Sequence, residues 1–479
     1  MPEVPDFALS PVGQGLRSPR ELRLRGRRWL GAEVRVQGTV TWIYDCAAQL
    51  AARDRKLSRA RLQRKIAADP SLCERPSLTL GDTSATSRED SILVTELPRP
   101  PTPLERKRLP KAELGAWPKV PRVKVGDRVE LTGTWEHGSR GEGILRFTAL
   151  TPLGAAPAVA TAAAPPDPAE PALVLVTRPP PRKAVDAKVR AASLTSLAAG
   201  TRAFAQGQHQ VAIAACEQAT AAWPGNHLAF YVRGSAHMAK GEWSAARAAV
   251  ERAALLRPDL AMYQLYHGVA LYEEARAIEA AAEAARSGQD AALLRASISV
   301  PATSAALPLA RDALRGAMAL APRLWRAHVY LARVYLDLDE PRRAAERLTE
   351  AIRAHPRYQF SYLSLIELYR RWGYLDQAAG VAKLGATTVA AADAPELWLQ
   401  VGTLAEARGQ EAEALDAYNR ALALRADHVP ALFSRGKLHH RRGDRARASA
   451  DLQAVAQSRA PEAASLAAAA AALLASFAP

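Results

Sequence analysis

The sequence predicts a multidomain protein in which a small all-β domain is followed by an all-α array of paired helices. Three observations lead to this fold class. Short β-branched runs are confined to the first 150 residues. Glycine and other small residues recur every 34 residues from about residue 193 onward. The length of 479 residues also exceeds the roughly 100–200 residues of one domain.

The chain begins with residues 1–21, for which we expect a flexible segment. Met1–Ser10 carry Glu3 and Asp6 and contain no apolar run of signal-peptide length. Nothing further along reaches the roughly 18 unbroken apolar residues of a membrane span. The expectation is a cytoplasmic protein without membrane contact.

Residues 22–153 contain five runs with the alternation typical of strands. They are Val34–Tyr44, Ser77–Gly81, Ser91–Leu97, Arg128–Trp135 and Ile144–Leu150. The first and fourth runs share a phrase, since Gly31 precedes VRVQGTV and Gly126 precedes RVELTGTW. This pattern resembles the first and fourth strands of the oligonucleotide/oligosaccharide-binding (OB) fold, a small five-stranded barrel. The resemblance implies an OB-like barrel.

A basic insertion, residues 46–70, follows the first of these strands. Its apolar spacing predicts a helix against the barrel, and residues 1–150 hold 27 Lys/Arg against 18 Asp/Glu. A cationic track beside aromatic rings is how proteins bind single-stranded nucleic acid. The candidates are Trp42, Tyr44, Arg53, Arg55, Lys56, Arg59, Arg61 and Trp135. The alternative is that the rings are core residues and the helix has a solvated basic face.

Cys46 and Cys73 bracket this insertion and lie at strand edges, so they are expected to be near one another. Two buried thiols are the favoured state, with a disulfide or a shared metal as alternatives. A metal would need about four ligands, and no CxxC or nearby His pair is present.

Residues 154–190 are rich in Ala and Pro and lack periodicity, which predicts a semi-extended linker. Its short apolar run Ala172–Val176 leaves open an additional edge strand of the barrel.

Seven units of one 34-residue template follow. They span residues 193–226, 227–260, 261–324, 325–358, 359–392, 395–428 and 429–462. Small residues recur at the eighth and twentieth positions, and Gly recurs at the fifteenth. This pattern resembles the tetratricopeptide repeat, whose two antiparallel helices approach closely at small residues. The third unit carries an insertion at about 273–304, and residues 461–478 predict a capping helix.

The sequence contains no nucleophile elbow, phosphate-binding loop or HExxH motif, which predicts no enzyme, no cofactor and no metal site. The tetratricopeptide resemblance instead implies a groove on the first helix of each repeat, at positions two, five, nine, twelve and thirteen. Its first half is apolar and includes Leu194, Leu228, Tyr231, Met238, Met262 and Tyr272. Its second half is cationic and includes Arg326, Arg333, Arg370, Arg371, Lys437 and Arg441.

These features predict a scaffold or adaptor whose groove holds an extended protein segment with an apolar and an acidic stretch. The alternative is a single-stranded nucleic-acid-binding protein that uses the barrel and its basic insertion. The sequence leaves the identity of the partner and the oligomeric state open.

Overall fold

The structure is a computed structural model. It describes residues 1–5, 7, 15–53, 61–62, 66, 72–73, 75–88, 90–99, 101, 103–117, 121, 123–137, 143–153, 170–180, 184–287 and 301–476. The chain divides into two compact units. One is a sheet domain, Ala8–Pro166, and the other is a helical array formed by Met1–Phe7 together with Asp167–Pro479.

The sheet domain contains six strands among its described residues. They are β1 (Leu16–Arg17), β2 (Glu33–Ile43), β3 (Leu78–Gly81), β4 (Ile92–Thr95), β5 (Arg128–His137) and β6 (Gly143–Pro152). The helices are α1 (Pro19–Arg25), α2 (Cys46–Arg53), α3 (Pro103–Arg108) and α4 (Lys111–Gly115). Five of the strands match the runs read from the sequence, and β1 pairs in parallel with β2.

The strand pairings of this domain return to their starting point. β2 pairs with β3, β3 with β4, β4 in parallel with β6, β6 with β5, and β5 again with β2. Alternate side chains of these strands form one apolar core, in which Val36, Val40, Leu80, Val94 and Leu131 are fully buried. This core is the inward face of the alternating pattern.

Cys46 and Cys73 form a disulfide, with their Cα atoms 5.5 Å apart. The favoured expectation of two thiols is therefore wrong. The bond joins the start of α2 to a residue five positions before β3, and it closes the span that holds the basic insertion. Disulfides persist mainly in oxidising compartments, whereas the sequence predicts a cytoplasmic chain.

Replacing Cys46 and Cys73 with Ser should lower the free energy of unfolding of the sheet domain by about 2–4 kcal/mol, because the unfolded chain regains the freedom of the open loop. Urea denaturation measures this change. A reducing agent should destabilise the wild-type domain by the same amount and leave the double variant unaffected. Equal stability of both proteins under oxidising conditions would show that the bond does not hold the domain.

The helical array contains seven consecutive pairs of antiparallel helices in its described part. The pairs are α5 (Ala187–Ala205) with α6 (His209–Ala222), α7 (His227–Ala239) with α8 (Trp243–Leu256), α9 (Ala261–Ser287) with α10 (Pro301–Leu320), α11 (Trp325–Asp337) with α12 (Pro341–Ala354), α13 (Gln359–Arg371) with α14 (Leu375–Thr388), α15 (Ala394–Ala407) with α16 (Glu411–Leu424), and α17 (Val429–Arg441) with α18 (Arg445–Gln457). The inserted residues of the third pair lengthen α9 as far as Ser287.

Six of the seven pairs, those whose connection the structure describes, turn at one residue with a left-handed backbone. Gly207, Gly241, Gly373, Gly409 and Gly443 have φ between 73° and 76°. In the fourth pair Asp339 takes this place with φ 60°, a conformation that glycine adopts without steric cost. The array ends with α19 (Ala463–Ala475), whose Ala463 and Ala470 are buried against Val429, Leu452 and Val455.

Two segments outside the repeats also belong to the helical array. Phe7 is 4% exposed and lies among the rings of Tyr369, Trp372 and Tyr374, with centroid distances of 6.0, 5.2 and 5.4 Å. Phe7, within the segment 1–21 that is expected to be flexible, thus packs onto the fifth repeat. Residues 170–180, expected to be linker or an edge strand of the barrel, also lie against the helices.

Replacing Gly268 with Ala should destabilise the array by about 1–3 kcal/mol, because the added Cβ would lie 2.6 Å from Cγ of Leu314 on the paired helix. Gly316→Ala is the matched control. Its Cβ would meet only ordinary contacts, at 3.4 Å from Leu175, so the higher helix propensity of Ala should leave stability unchanged or increased. Thermal unfolding of both variants tests this, and equal losses would refute the close approach at Gly268.

Candidate partner-binding site

One template position places a continuous row of exposed side chains on the first helices of the array. The second position of the first five repeats holds Leu194, Leu228, Met262, Arg326 and Phe360, which we call the position-two row. Leu194 is 44% exposed, Leu228 42%, Met262 38% and Phe360 57%, and Arg326 is also exposed. Because equivalent positions of stacked repeats share a face, these side chains form one apolar strip with a cation near its end.

The other apolar residues expected in the groove are packed within the array. The Tyr231 ring stacks on Tyr263 with centroids 5.0 Å apart and meets Tyr266 edge-on at 5.2 Å. Met238 packs against the buried cluster that contains Val250. Tyr272 is only 7% exposed, so its ring offers little surface to a partner. The exposed apolar surface of the first repeats therefore lies at the second position.

Burial controls the hydroxyl groups of these tyrosines. It raises the pKa of Tyr231 and of Tyr272 well above the ordinary value, because the phenolate form would lose its hydration. Both hydroxyls therefore stay neutral. The two tyrosine rings pack adjacent first helices against one another.

The cationic half is partly neutralised by neighbouring carboxylates. Arg370 binds Glu367 on its own helix at 2.7 Å, and Arg441 forms an ion pair with Glu406. Arg371 is exposed, as is Lys437. The sequence pattern located these side chains on the surface but did not show that two of them are engaged.

Arg326 and Arg333 lie beside aromatic rings. The guanidinium of Arg326 is 5.2 Å from the centroid of Trp325, and that of Arg333 is 5.1 Å from the centroid of Tyr330. A carboxylate oxygen of Glu273 lies 3.8 Å from Nη1 of Arg333, which is a loose contact. Stacking leaves the forked N–H groups of an arginine available to a carboxylate.

The sequence analysis did not predict an aromatic cluster that lies beside Arg326. Trp325 lies 4.3 Å from Tyr358 and 4.9 Å from His355, and Tyr358 lies 5.7 Å from Phe360, all between ring centroids. The cluster occupies the junction between the fourth and fifth repeats. The sequence contains a signal for this cluster, because rings occur at positions one and thirty-four of the fourth repeat and at position two of the fifth repeat. Of these three positions, only position two belongs to the expected groove.

The residues expected to bind nucleic acid are only partly brought together. Trp42 and Tyr44 are half-buried neighbours 6.3 Å apart, and the guanidinium of Arg88 lies 3.9 Å above the Trp42 ring. Trp135, however, is 2% exposed in the core, so its assignment to a stacking surface is wrong. Arg61 is exposed and Arg53 lies in α2, whereas Arg55, Lys56 and Arg59 lie outside the described residues.

Among the described residues no group of three His, Cys, Asp or Glu side chains is placed to hold a metal ion. Within the same residues, none of the helices combines the length and the apolar character that a bilayer span requires.

Comparison with known proteins gives the class of the helical array. A tetratricopeptide repeat family model matches residues 203–267. Together with the 34-residue helix pairs, this match identifies a tetratricopeptide-type array preceded by a six-stranded sheet region. No curated protein matches the sequence.

This chain is similar at low identity to several solved structures. PilF of Pseudomonas aeruginosa is 16% identical, with 51% of this chain and 96% of that chain covered and a TM-score of 0.37. MamA is 17% identical, with 49% and 93% covered and a TM-score of 0.29. A tetratricopeptide protein of Thermus thermophilus is 16% identical, with 52% and 98% covered and a TM-score of 0.29. At these values the likeness carries no functional argument.

Proposed function

We propose that this protein is a non-enzymatic scaffold whose helical array holds an extended segment of a protein partner along the position-two row. The observation that carries the proposal is the exposure of this row. Leu194, Leu228, Met262 and Phe360 expose apolar surface at one position of successive repeats, although their neighbours Tyr231 and Tyr272 are packed away. Aligned exposed apolar side chains mark an interaction surface.

The chemistry of the row sets the order of the partner's residues. Leu194, Leu228 and Met262 suit an apolar stretch, and the flexible Met side chain adapts to different shapes. Arg326 of the row, and Arg333 further along the same helix, suit one or two carboxylates, because their guanidinium groups stack on rings and keep N–H donors available. Arg370 and Arg441 already bind Glu367 and Glu406, so the acidic stretch is expected at the fourth repeat.

A photo-crosslinking residue in place of Phe360 in the full chain should identify the partner, and a peptide from the crosslinked segment then serves as the probe. Arg326→Glu with Arg333→Glu should weaken peptide binding at least tenfold, since a hydrogen bond to a charged group contributes about 1.5–3 kcal/mol. Fluorescence anisotropy measures the affinity.

Arg342→Glu with Arg353→Glu is the control for this charge reversal. It makes the same charge change on α12, a second helix, where the side chains of Arg342 and Arg353 are 51% and 63% exposed. The control should bind the peptide like the wild type. Unchanged binding by the Arg326/Arg333 variant, or an equal loss in the control, would contradict the position-two row as the site.

A second candidate function is binding of single-stranded nucleic acid by the sheet domain. Two observations favour it. The strand pairings of the sheet return to β2, as in a small barrel, and Trp42 lies beside Tyr44 and under the Arg88 guanidinium. Bases stack on such rings while cations contact phosphates.

For this candidate the full chain should bind single-stranded oligothymidine at low salt, and the affinity should fall steeply as salt rises. Trp42→Ala should reduce the affinity about tenfold, because stacking of one base contributes roughly 1–3 kcal/mol. Trp117→Ala, which removes a ring of the same domain that lies 5.6 Å from Arg99, is the matched control. Absence of binding even at low salt would exclude this function.

A further inference from the structure

Residues 170–176, which we call the strap, bind to the helical array as an extended peptide would. The carboxylate of Glu170 lies 3.2 Å from Nε of Arg315 and accepts a hydrogen bond from the Tyr335 hydroxyl. Nη1 of Arg315 donates to the carbonyl oxygen of Pro171 at 2.8 Å. One arginine therefore contacts both a side chain and the backbone of the strap.

The side chains of the strap alternate between the array and solvent. Leu173 and Leu175 are half-buried, whereas Val174 is 87% exposed and Val176 63%. This alternation is the period of an extended chain. Leu175 packs over Gly316 of α10, where its Cδ1 would lie at an ordinary contact distance of 3.4 Å from an added Cβ.

The surface beneath the strap is larger than the strap itself. A cavity of about 660 Å³ is lined by Leu173, Leu175 and residues of α8, α9 and α10. A second cavity of about 330 Å³ lies beside Glu170 and is lined by three arginines and one further glutamate of the array, Arg315, Arg343, Arg347 and Glu346. The site therefore offers cationic surface for a carboxylate next to apolar space.

This surface differs from the position-two row. On α9 the strap side is formed by Gln264, His267 and Leu271, whereas the groove side includes Met262 and Tyr272. At 3.6 residues per turn these two stripes lie roughly 140° apart around the helix. A ligand of the strap surface would not compete directly with a ligand of the row.

We infer that the strap surface is a second peptide-binding site, which recognises an extended segment with an acidic residue followed at the third and fifth positions by aliphatic residues. The chain's own Glu170, Leu173 and Leu175 supply this pattern, so the strap occupies the site until a partner segment of the same chemistry displaces it. This inference does not rest on the proposed function of the position-two row.

Occupation by the tethered strap sets the expected size of the effect. A tethered segment acts at an effective concentration on the order of millimolar. The apparent affinity for a partner peptide is therefore reduced in proportion to the fraction of molecules in which the site is open. Releasing the strap should raise the affinity for a free peptide at least tenfold.

The probe is a fluorescent peptide with the sequence of residues 168–178, added to the full-length chain and followed by anisotropy. The Leu173→Asp/Leu175→Asp variant, whose strap is released, should bind it at least tenfold more tightly than the wild type. Adding Arg315→Leu to this variant should remove the gain. A Glu170→Ala variant, which removes only the carboxylate that contacts Arg315 and Tyr335, should show a smaller gain and serves if the double variant does not fold.

Val174→Asp/Val176→Asp is the matched control, because it places the same charges in the same segment at positions that face solvent. It should bind the peptide no better than the wild type. The inference fails if the folded released variant does not bind, or if the control gains as much. It also fails if light scattering shows a wild-type dimer that Leu173→Asp/Leu175→Asp converts to monomer, because the strap would then serve a second copy of the chain.

Discussion

The close approach of the two helices in each pair is the constraint on which the rest of the array depends. The twentieth position of all seven repeats is alanine, and every one of these alanines is fully buried: Ala212, Ala246, Ala310, Ala344, Ala378, Ala414 and Ala448. Opposite them, Gly200 and Gly268 have no space for a Cβ. A larger side chain would separate the helices, and overpacking of this kind costs about 1–3 kcal/mol. The regular spacing of the pairs in turn aligns equivalent positions into rows.

The arginines of the array lie in two kinds of environment. Arg370 and Arg441 neutralise carboxylates on the surface, where such pairs contribute little stability. Arg326 and Arg333 stack on rings and keep their donors. The overall basicity of the chain is therefore a poor guide to where an acidic partner binds, because a paired arginine and a stacked arginine count equally in the sequence.

The array also binds parts of its own chain that lie outside the repeats. Phe7 fills a space between three rings of the fifth repeat, and the strap lies on the second to fourth repeats. Both contacts place apolar side chains of segments outside the repeats against helices of the array.

The sequence by itself determined the period of the array, the small residues between paired helices, the turn glycines and the five long runs that became strands. Because these features are local or repeat at a fixed spacing, they can be predicted directly from the sequence. The tertiary structure decided which rings are buried. Trp42 and Trp135 lie on strands with similar alternating patterns, yet only Trp135 enters the core. It also decided that the disulfide forms, that Arg370 and Arg441 form ion pairs, and where Phe7 and the strap pack on the array. Each of these depends on residues far apart in the chain, whose approach no local pattern specifies.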